Sequence, residues 1–292
     1  MIKEGYITAL GTPLDDRGRL IPHSFRAHIE DQVDAGCGAF LVMGTMGNEV
    51  FIRNSEYRRV AAEAASAAAG RVPVLVGVMD NSAGRVLDRI EELRDLPIQG
   101  VVATAPFYLT ATQQEIISFF SMIGRKSSFP LYLYDLPGVT KTKVQTDTAL
   151  KLMNQDSIAG IKSGDLLTCR DLHFHPDRKP DFTVMYSGLD TFDAAYGYGI
   201  RRNLDGMFCC TPKINKDMYR ALEQGDAVKG REELKKILRL RDLFAGMGIF
   251  TGFTAAMNLL GYEGNFAPDY MKHPGEEERE IVRSCMREIG LL

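Results

Sequence analysis

The chain has 292 residues, 45% of them hydrophobic, and a formal net charge of -3. These values exclude a disordered tail and indicate a compact soluble protein. The chain has no basic cluster for nucleic-acid phosphates and no apolar run long enough to cross a bilayer. Its first residues, MIKEGYITALGTP, lack the basic, apolar and small-residue order of a signal peptide. We therefore expect a cytoplasmic protein with no nucleic-acid or membrane partner.

The cysteines are odd in number and scattered without CxxC spacing. This pattern fits a reducing compartment and argues against a disulfide framework or a structural zinc site. The adjacent pair near the end of the last strand-like run is interpreted as packing in the sheet. The five residues are Cys37, Cys169, Cys209, Cys210 and Cys285.

Strand-like runs alternate with amphipathic, helix-like segments through most of the chain. The runs are apolar on both faces, which is typical of a parallel sheet covered by helices. Eight such β-then-α units predict an α/β fold, a closed (β/α)8 TIM barrel. A doubly wound open sheet is the alternative, but the first strand is followed by ALGTPLDD instead of a GxGxxG fingerprint. The runs are YITALGTP, GAFLVMGT, VPVLVGVMD, GVVATAPFY, PLYLYDLP, IAGIKSG, FTVMYSGLD and LDGMFCCTP.

The pattern becomes helical only beyond the eighth unit. Residues 1–222 are predicted to form the barrel and residues 223–292 a C-terminal helical region. Its last helix is predicted to begin at Glu276, Glu277 and Glu278, because carboxylates complement the dipole in a helix's first turn.

Polar residues at the ends of the predicted strands are the candidates for chemistry, since barrel enzymes work at that rim. Thr45 follows strand two, Tyr134 ends strand five and Lys162 ends strand six. We expect these three side chains to converge although they are far apart in sequence.

Lys162 lies in IAGIKSGD, a segment that otherwise predicts a buried strand. Burial disfavours a charged ammonium, and a neutral amine attacks carbonyl carbon to form a Schiff base. The alternative is a strand-end lysine that extends to solvent or pairs with Asp165. The residues alone leave these two interpretations equally open.

Tyr134 is the candidate proton donor and acceptor for such an amine. Tyr132 alternates with it and shares its face, so the spacing does not decide which tyrosine reaches the pocket. Thr45 could relay the proton or bind a carboxylate, and the backbone of Gly44 and Gly47 could supply N–H donors. Core packing for the tyrosines and an ordinary tight turn for the glycines remain the alternatives.

A metal site at His173 and His175 is a weak candidate. Their spacing suits ligands, but HFHPDRKP is a polar segment that supplies no further ligand. We therefore predict that the protein has no metal.

Taken together, the motifs resemble the dihydrodipicolinate synthase and N-acetylneuraminate lyase family of Schiff-base aldolases. The resemblance covers nearly the whole chain, and its strength comes from the order of the motifs. They are ALGTPLDDRGRL, GTMGNE, APFY, YLYDLP, GIKSGD, YSGLD and LDGMF.

The resemblance implies that Lys162 forms the Schiff base with a 2-oxo acid, usually pyruvate, without any cofactor. It implies that Tyr134 is the acid and base at the reacting oxygen. Thr45 would link Tyr134 to Tyr108, which in the family reaches in from a neighbouring subunit. Members are typically homotetramers built from dimers, and this arrangement is the implied assembly here.

The resemblance also implies a set of substrate-binding positions. The substrate carboxylate would rest on the turn that contains Gly44 and Met46. Gly188 and Asp190 match positions near the distal part of the substrate, and Phe208 matches a position whose carbonyl faces the lysine.

Several residues depart from the family pattern. Val139 stands where dihydrodipicolinate synthases usually carry an arginine for a second carboxylate, and Lys141 is a nearby cation that could replace it. Met46 stands where Ser or Thr is common, and Asn48 stands where Glu is common. The Val139 position counts against the synthase reaction. The changes at Met46 and Asn48 imply that the grip on the substrate carboxylate relies more on backbone N–H groups.

The sequence therefore predicts a lyase that cleaves a 2-oxo-3-deoxy sugar acid to pyruvate and an aldehyde, reversibly, through Lys162. The alternatives are 4-hydroxy-tetrahydrodipicolinate synthase, which joins pyruvate and aspartate semialdehyde, and N-acetylneuraminate lyase. A dehydratase of hydroxylated 2-oxo acids and a non-catalytic 2-oxo acid binding protein also remain open.

Overall fold

The computed structural model describes residues 2–292. Its eight strands run parallel, neighbour one another in chain order and close into a barrel, as the sequence predicts. The open-sheet alternative is therefore wrong. The strands are β1 (Gly5–Ala9), β2 (Ala39–Val42), β3 (Val74–Gly77), β4 (Gly100–Thr104), β5 (Leu131–Asp135), β6 (Ile158–Ser163), β7 (Thr183–Tyr186) and β8 (Arg202–Asp205).

Helices follow each strand, and three more follow the last barrel unit. The barrel helices are α1 (Pro22–Asp34), α2 (Asn54–Ala68), α3 (Ala83–Glu92), α4 (Gln113–Gly124), α5 (Pro137–Thr140), α6 (Thr146–Met153), α7 (Leu166–Phe174), α8 (Phe192–Gly197) and α9 (Pro212–Glu223). The C-terminal helices are α10 (Ala227–Met247), α11 (Ile249–Leu259) and α12 (Glu276–Glu288).

Local sequence explains where several helices begin. The Thr112 hydroxyl accepts the Glu115 N–H while the Glu115 carboxylate accepts the Thr112 N–H, a reciprocal capping box at the start of α4. The first turn of α12 carries the three predicted glutamates, and the Glu278 carboxylate accepts the Gly275 N–H at 2.9 Å. The C-terminal helical extension is thereby confirmed.

The chain divides into two compact units. The first contains the residues up to Gly5 and Pro73–Leu204, and the second contains Tyr6–Val72 and Asp205–Leu292. The C-terminal helices thus group with β2, α1 and α2 in one unit. The proposed boundary after residue 222 does not coincide with this division and stays a prediction.

Each unit has its own buried interior. Strands β3 to β7 are buried along almost their whole length in the first unit. The five cysteines are all buried and unpaired as disulfides. Burial raises the pKa of the Cys37 thiol to about 11 and that of Cys169 to about 12, so both are inert packing groups.

Within residues 2–292, no helix combines the length and apolarity needed to cross a membrane.

Candidate active site

Lys162 lies near the end of β6 and is only 4% exposed. Its Nζ donates a hydrogen bond to Ser187 Oγ at 2.8 Å, just beyond the end of β7. The same Nζ lies 3.8 Å from the centroid of the Tyr134 ring. The structure contradicts the alternative in which this lysine extends to solvent or pairs with Asp165. The side chain is buried, and the Asp165 carboxylate contacts Lys143 instead.

Strand register decides between the two tyrosines. Tyr134 pairs with Lys162 across β5 and β6, whereas Tyr132 pairs with Gly160, two residues earlier. A Cβ at Gly160 would lie 2.9 Å from the Tyr132 ring, so this ring fills the space beside the glycine. Burial, opposed by a hydrogen bond with Thr183, raises the pKa of Tyr132. Tyr134 is therefore the tyrosine at the lysine.

The lysine opens onto a cavity of about 300 Å³. A volume near this value suits a small polar substrate. The lining combines the ends of β5 and β6 with residues that follow β5, β6 and β7, and this end of the strands is where barrel enzymes place their chemistry. The lining residues are Tyr134, Asp135, Leu136, Pro137, Lys143, Lys162, Gly164, Asp165 and Ser187.

A second cation, Lys143, lies in the same cavity wall. Its Nζ contacts Asp135 Oδ2 at 2.9 Å and Asp165 Oδ2 at 3.0 Å. The sequence pattern indicates Lys141 as the nearby cation and does not single out Asp135 or Lys143. A carboxylate at the end of a buried strand needs a partner, and this rule was the signal that could have identified Lys143.

Lys143 and Asp165 are both held in the charged form. Burial opposes the charge of Lys143, but its hydrogen bonds with Asp135 and Asp165 outweigh burial and raise its pKa. Burial likewise opposes the charge of Asp165, while the Thr168 N–H and Lys143 prevail and lower its pKa. At neutral pH the cavity wall therefore carries fixed charges of both signs.

Ser163 ties this cluster to the strand that carries Lys162. Its Oγ donates to Asp135 Oδ2 at 2.8 Å and accepts the Asp165 N–H at 3.1 Å. The Asp135 Oδ1 accepts the Val144 N–H at 2.9 Å. Ser163 and Ser187 are further site residues that the sequence analysis did not identify.

The other predicted residues of the first unit lie outside the cavity lining. Gly188 directly follows Ser187, and Asp190 is exposed in the 3-10 turn Leu189–Thr191. Tyr108 is 81% exposed, and its N–H donates to Asn81 Oδ1 at 2.7 Å. The roles of Gly188, Asp190 and Tyr108 stay predictions.

The predicted carboxylate-binding turn belongs to the second unit. Thr45 is exposed there, whereas Met46 is half-buried and packs on Gly206, where an added Cβ would lie 2.2 Å from the Met46 Cγ. The Gly47 N–H donates to the Gly44 carbonyl at 3.0 Å, so this amide serves the turn itself. The roles of Gly44, Thr45 and Met46 towards a substrate stay predictions.

Phe208 is also part of the second unit and is fully buried. Its carbonyl accepts hydrogen bonds from Gln32 Nε2 at 3.1 Å and from Asn215 Nδ2 at 2.9 Å. The backbone N–H groups of Cys210 and Thr211 also point to this oxygen, so it already has several donors within the unit. A role for this carbonyl towards the lysine stays a prediction.

The two candidate metal ligands each contact residues that are close in sequence. The His173 ring packs on Phe174 and its Nδ1 lies 3.3 Å from an Arg178 nitrogen, while His175 Nδ1 accepts the Asp177 N–H. Across residues 2–292, no three His, Cys, Asp or Glu side chains are grouped so that they could hold a metal ion.

A parallel α/β barrel with a buried lysine amine beside a tyrosine at its strand ends is typical of lysine-dependent carbon–carbon lyases. Residues 3–287 match the model of the dihydrodipicolinate synthetase family. The chain belongs to this family and is a carbon–carbon lyase of its Schiff-base class.

Individual proteins are similar to this chain over nearly its whole length and their own. The 4-hydroxy-tetrahydrodipicolinate synthase of Dechloromonas aromatica is 30% identical over 292 residues, covering 99% of each chain. The dihydrodipicolinate synthase structure from Thermotoga maritima is 23% identical, with a TM-score of 0.91 and 100% coverage of both chains. A prophage protein of the dihydrodipicolinic acid synthase family from E. coli K12, in complex with pyruvate, is 19% identical, with a TM-score of 0.90 and the same coverage. These two structures show a shared fold.

Proposed function

We propose that the protein is a pyruvate-dependent aldolase in which the Lys162 amine forms the Schiff base. The observation that carries this proposal is the buried Nζ, which contacts the Tyr134 ring and Ser187 at the wall of a small cavity. The pyruvate bound to the E. coli relative supports the choice of the 2-oxo acid.

The chemistry needs an amine, an acid–base group and water. The Lys162 amine adds to C2 of pyruvate and releases one water, and the iminium then loses a C3 proton to give a neutral enamine. The enamine C3 forms a bond to the aldehyde carbon, whose oxygen takes up a proton. Water finally hydrolyses the new iminium and frees the lysine. Tyr134 is the group placed to move these protons.

The compound that the enzyme cleaves, or forms in the reverse direction, is a 2-oxo-3-deoxy sugar acid. Val139, at the position where synthases usually carry an arginine, is a half-exposed apolar residue of α5. The cation that lies in the cavity wall, Lys143, is already paired with two carboxylates. These features disfavour a substrate with a second carboxylate.

The second candidate is 4-hydroxy-tetrahydrodipicolinate synthase. The name of the Dechloromonas aromatica relative favours it, since the two chains are similar from end to end. Aspartate semialdehyde and pyruvate would then be the substrate pair.

A homotetramer is the assembly that we propose for the enzyme. The high exposure of the Tyr108 ring in a single chain supports the role in which it enters a neighbouring subunit's site. Sedimentation equilibrium of the wild type gives the assembly directly. A monomeric, active enzyme would remove Tyr108 from the mechanism.

Borohydride trapping tests the imine. The wild type is reduced in the presence of pyruvate, and the adduct is found by intact mass and peptide mapping. We expect one pyruvate-derived adduct on Lys162, none in Lys162→Ala, and an unchanged adduct in Lys151→Ala, an exposed lysine of α6. A folded wild type that yields no adduct with pyruvate or longer 2-oxo acids would support the binding-protein alternative.

Product analysis separates the two enzymatic candidates. The enzyme is incubated with pyruvate and either aspartate semialdehyde or D-glyceraldehyde, and the rates are compared at equal concentration. A higher kcat/KM for aspartate semialdehyde would establish the synthase and overturn the sugar-acid assignment.

A further inference from the structure

We propose that the ion cluster of Asp135, Lys143 and Asp165 sets the aldehyde specificity, admitting neutral hydroxylated aldehydes and rejecting anionic ones. This inference rests on the proposed aldolase function and specifies its second substrate. It starts from a contact that the sequence motifs alone do not show, a lysine bridging two carboxylates in the wall of the Lys162 cavity.

The net charge of the cluster is the first argument. One ammonium faces two carboxylates, so the group carries one negative charge in excess. The pyruvate carboxylate adds another negative charge after the enamine has formed, because the Lys162 nitrogen of the enamine is neutral and does not offset it. An aldehyde with its own carboxylate therefore enters a cavity whose wall repels it, and the low dielectric of a small cavity strengthens this repulsion.

The hydrogen-bonding groups of the cluster are the second argument. The Lys143 ammonium has three N–H donors, and its contacts with Asp135 and Asp165 use two of them. One donor therefore remains beside carboxylate oxygens that accept further bonds. A sugar hydroxyl both donates and accepts, so it matches this pairing, whereas a carboxylate only accepts.

The accessibility of the cluster is consistent with substrate contact. The Lys143 and Asp165 side chains retain 36% and 35% of their exposure, while Asp135 retains 1%. Lys143 and Asp165 are thus the members that an aldehyde can touch. Asp135 acts behind them as the buried charge that holds Lys143.

The cluster is also fixed in position. Asp135 is held by the Val144 N–H and the Ser163 hydroxyl, and the Asp165 Oδ1 caps α7 by accepting the Thr168 N–H at 3.0 Å. A carboxylate that caps a helix cannot swing away from an incoming anion without losing that bond. The negative charge is therefore a permanent part of the specificity pocket.

Asp165→Asn is the test variant, because asparagine keeps a helix cap and removes one negative charge. The matched control is Asp147→Asn, which removes the same charge from an exposed residue in the first turn of α6. Asp165→Ser is a second neutral capping variant if the asparagine protein is unstable. Folding is checked by circular dichroism and thermal unfolding.

The readout is kcat/KM with pyruvate and three aldehydes: D-glyceraldehyde, succinic semialdehyde and butyraldehyde. We expect the wild type to prefer D-glyceraldehyde to both others by about tenfold or more. Butyraldehyde lacks the matched polar contact, and the carboxylate of succinic semialdehyde is repelled by the cluster. Asp165→Asn should raise the kcat/KM for succinic semialdehyde, relative to that for butyraldehyde, about three- to tenfold. Asp147→Asn should leave this ratio of kcat/KM values unchanged.

Three results would overturn the inference: a wild-type preference for succinic semialdehyde, equal use of butyraldehyde and D-glyceraldehyde, or the same ratio in Asp165→Asn as in Asp147→Asn. Borohydride trapping with pyruvate alone is run first on every variant. An absent adduct in the folded wild type refutes the aldolase proposal itself. A normal adduct with the wrong aldehyde preference refutes only the role of the cluster.

Discussion

The Lys162 Nζ lies over the face of the Tyr134 ring, 3.8 Å from its centroid. The face of an aromatic ring is a favourable contact for a lysine side-chain nitrogen, so the ring itself helps to hold Nζ in this position. The hydroxyl of the same tyrosine has a separate task in the proposed mechanism, the transfer of protons. The ring and the hydroxyl can therefore be separated by mutation.

Tyr134→Phe keeps the ring and removes the hydroxyl. We expect kcat for aldol cleavage to fall by about 10² to 10⁴, the usual contribution of a general acid–base group, with an unchanged melting temperature. Tyr132→Phe is the control, because its ring lies beside Gly160 and does not line the cavity. Equal losses in the two variants would show that Tyr134 has no special role.

Ser187→Ala removes the hydroxyl that accepts the Lys162 hydrogen bond. Without this contact the amine loses its fixed position towards the cavity. Misplacing a reacting group by about 1 Å can cost about 10²-fold in rate, so we expect pyruvate adduct formation to slow by about tenfold or more. Stopped-flow measurement of imine formation gives this rate. Ser187→Thr keeps a hydroxyl and should recover most of it, and an alanine variant as fast as the wild type would contradict a positioning role for Ser187.

The sequence predicted the barrel well because the barrel depends on local pattern. Runs of apolar residues ended in polar ones, and this repeated signal located both Tyr134 and Lys162. It did not distinguish Tyr132 from Tyr134, since alternation places both on one face. Only the pairing of β5 with β6 shows which tyrosine is level with the lysine.

The ion cluster depended on loop geometry that the sequence did not specify. Lys141 and Lys143 lie two residues apart after α5, and their spacing does not show which one reaches Asp135. Lys141 adopts a left-handed conformation with a φ of 58° at the end of α5, and Lys143 follows it to the carboxylates. That turn, rather than composition, selects the cation.

Gly47→Ala tests the turn after β2. An added Cβ would lie 2.8 Å from the Leu10 carbonyl oxygen and from the Met43 backbone, and neither can yield easily. We expect a loss of about 1–3 kcal/mol in the free energy of unfolding, the usual effect of overpacking. Gly84→Ala in α3 is the control, because its added Cβ meets nothing within 4 Å. A Gly47→Ala protein as stable as Gly84→Ala would contradict the close approach.

His28 gives the protein a stability that depends on pH. The side chain is fully buried beside the Tyr262 ring, with centroids 5.0 Å apart. Among residues 2–292, neither of its ring nitrogens has a hydrogen-bond partner. Burial lowers its pKa from 6.5 to about 3. Below pH 6.5, therefore, His28 is protonated in the unfolded chain but stays neutral in the folded protein. Stability is full above this pH and falls as the pH drops towards 3.

Urea unfolding at pH 7 and pH 5 measures this loss. One such histidine contributes about 1.4 kcal/mol per pH unit below 6.5, which is about 2 kcal/mol by pH 5. His28→Leu should lose about that much less stability than the wild type over the same interval, because leucine does not titrate. If His28→Leu retains the full pH dependence, the acid sensitivity arises from other groups.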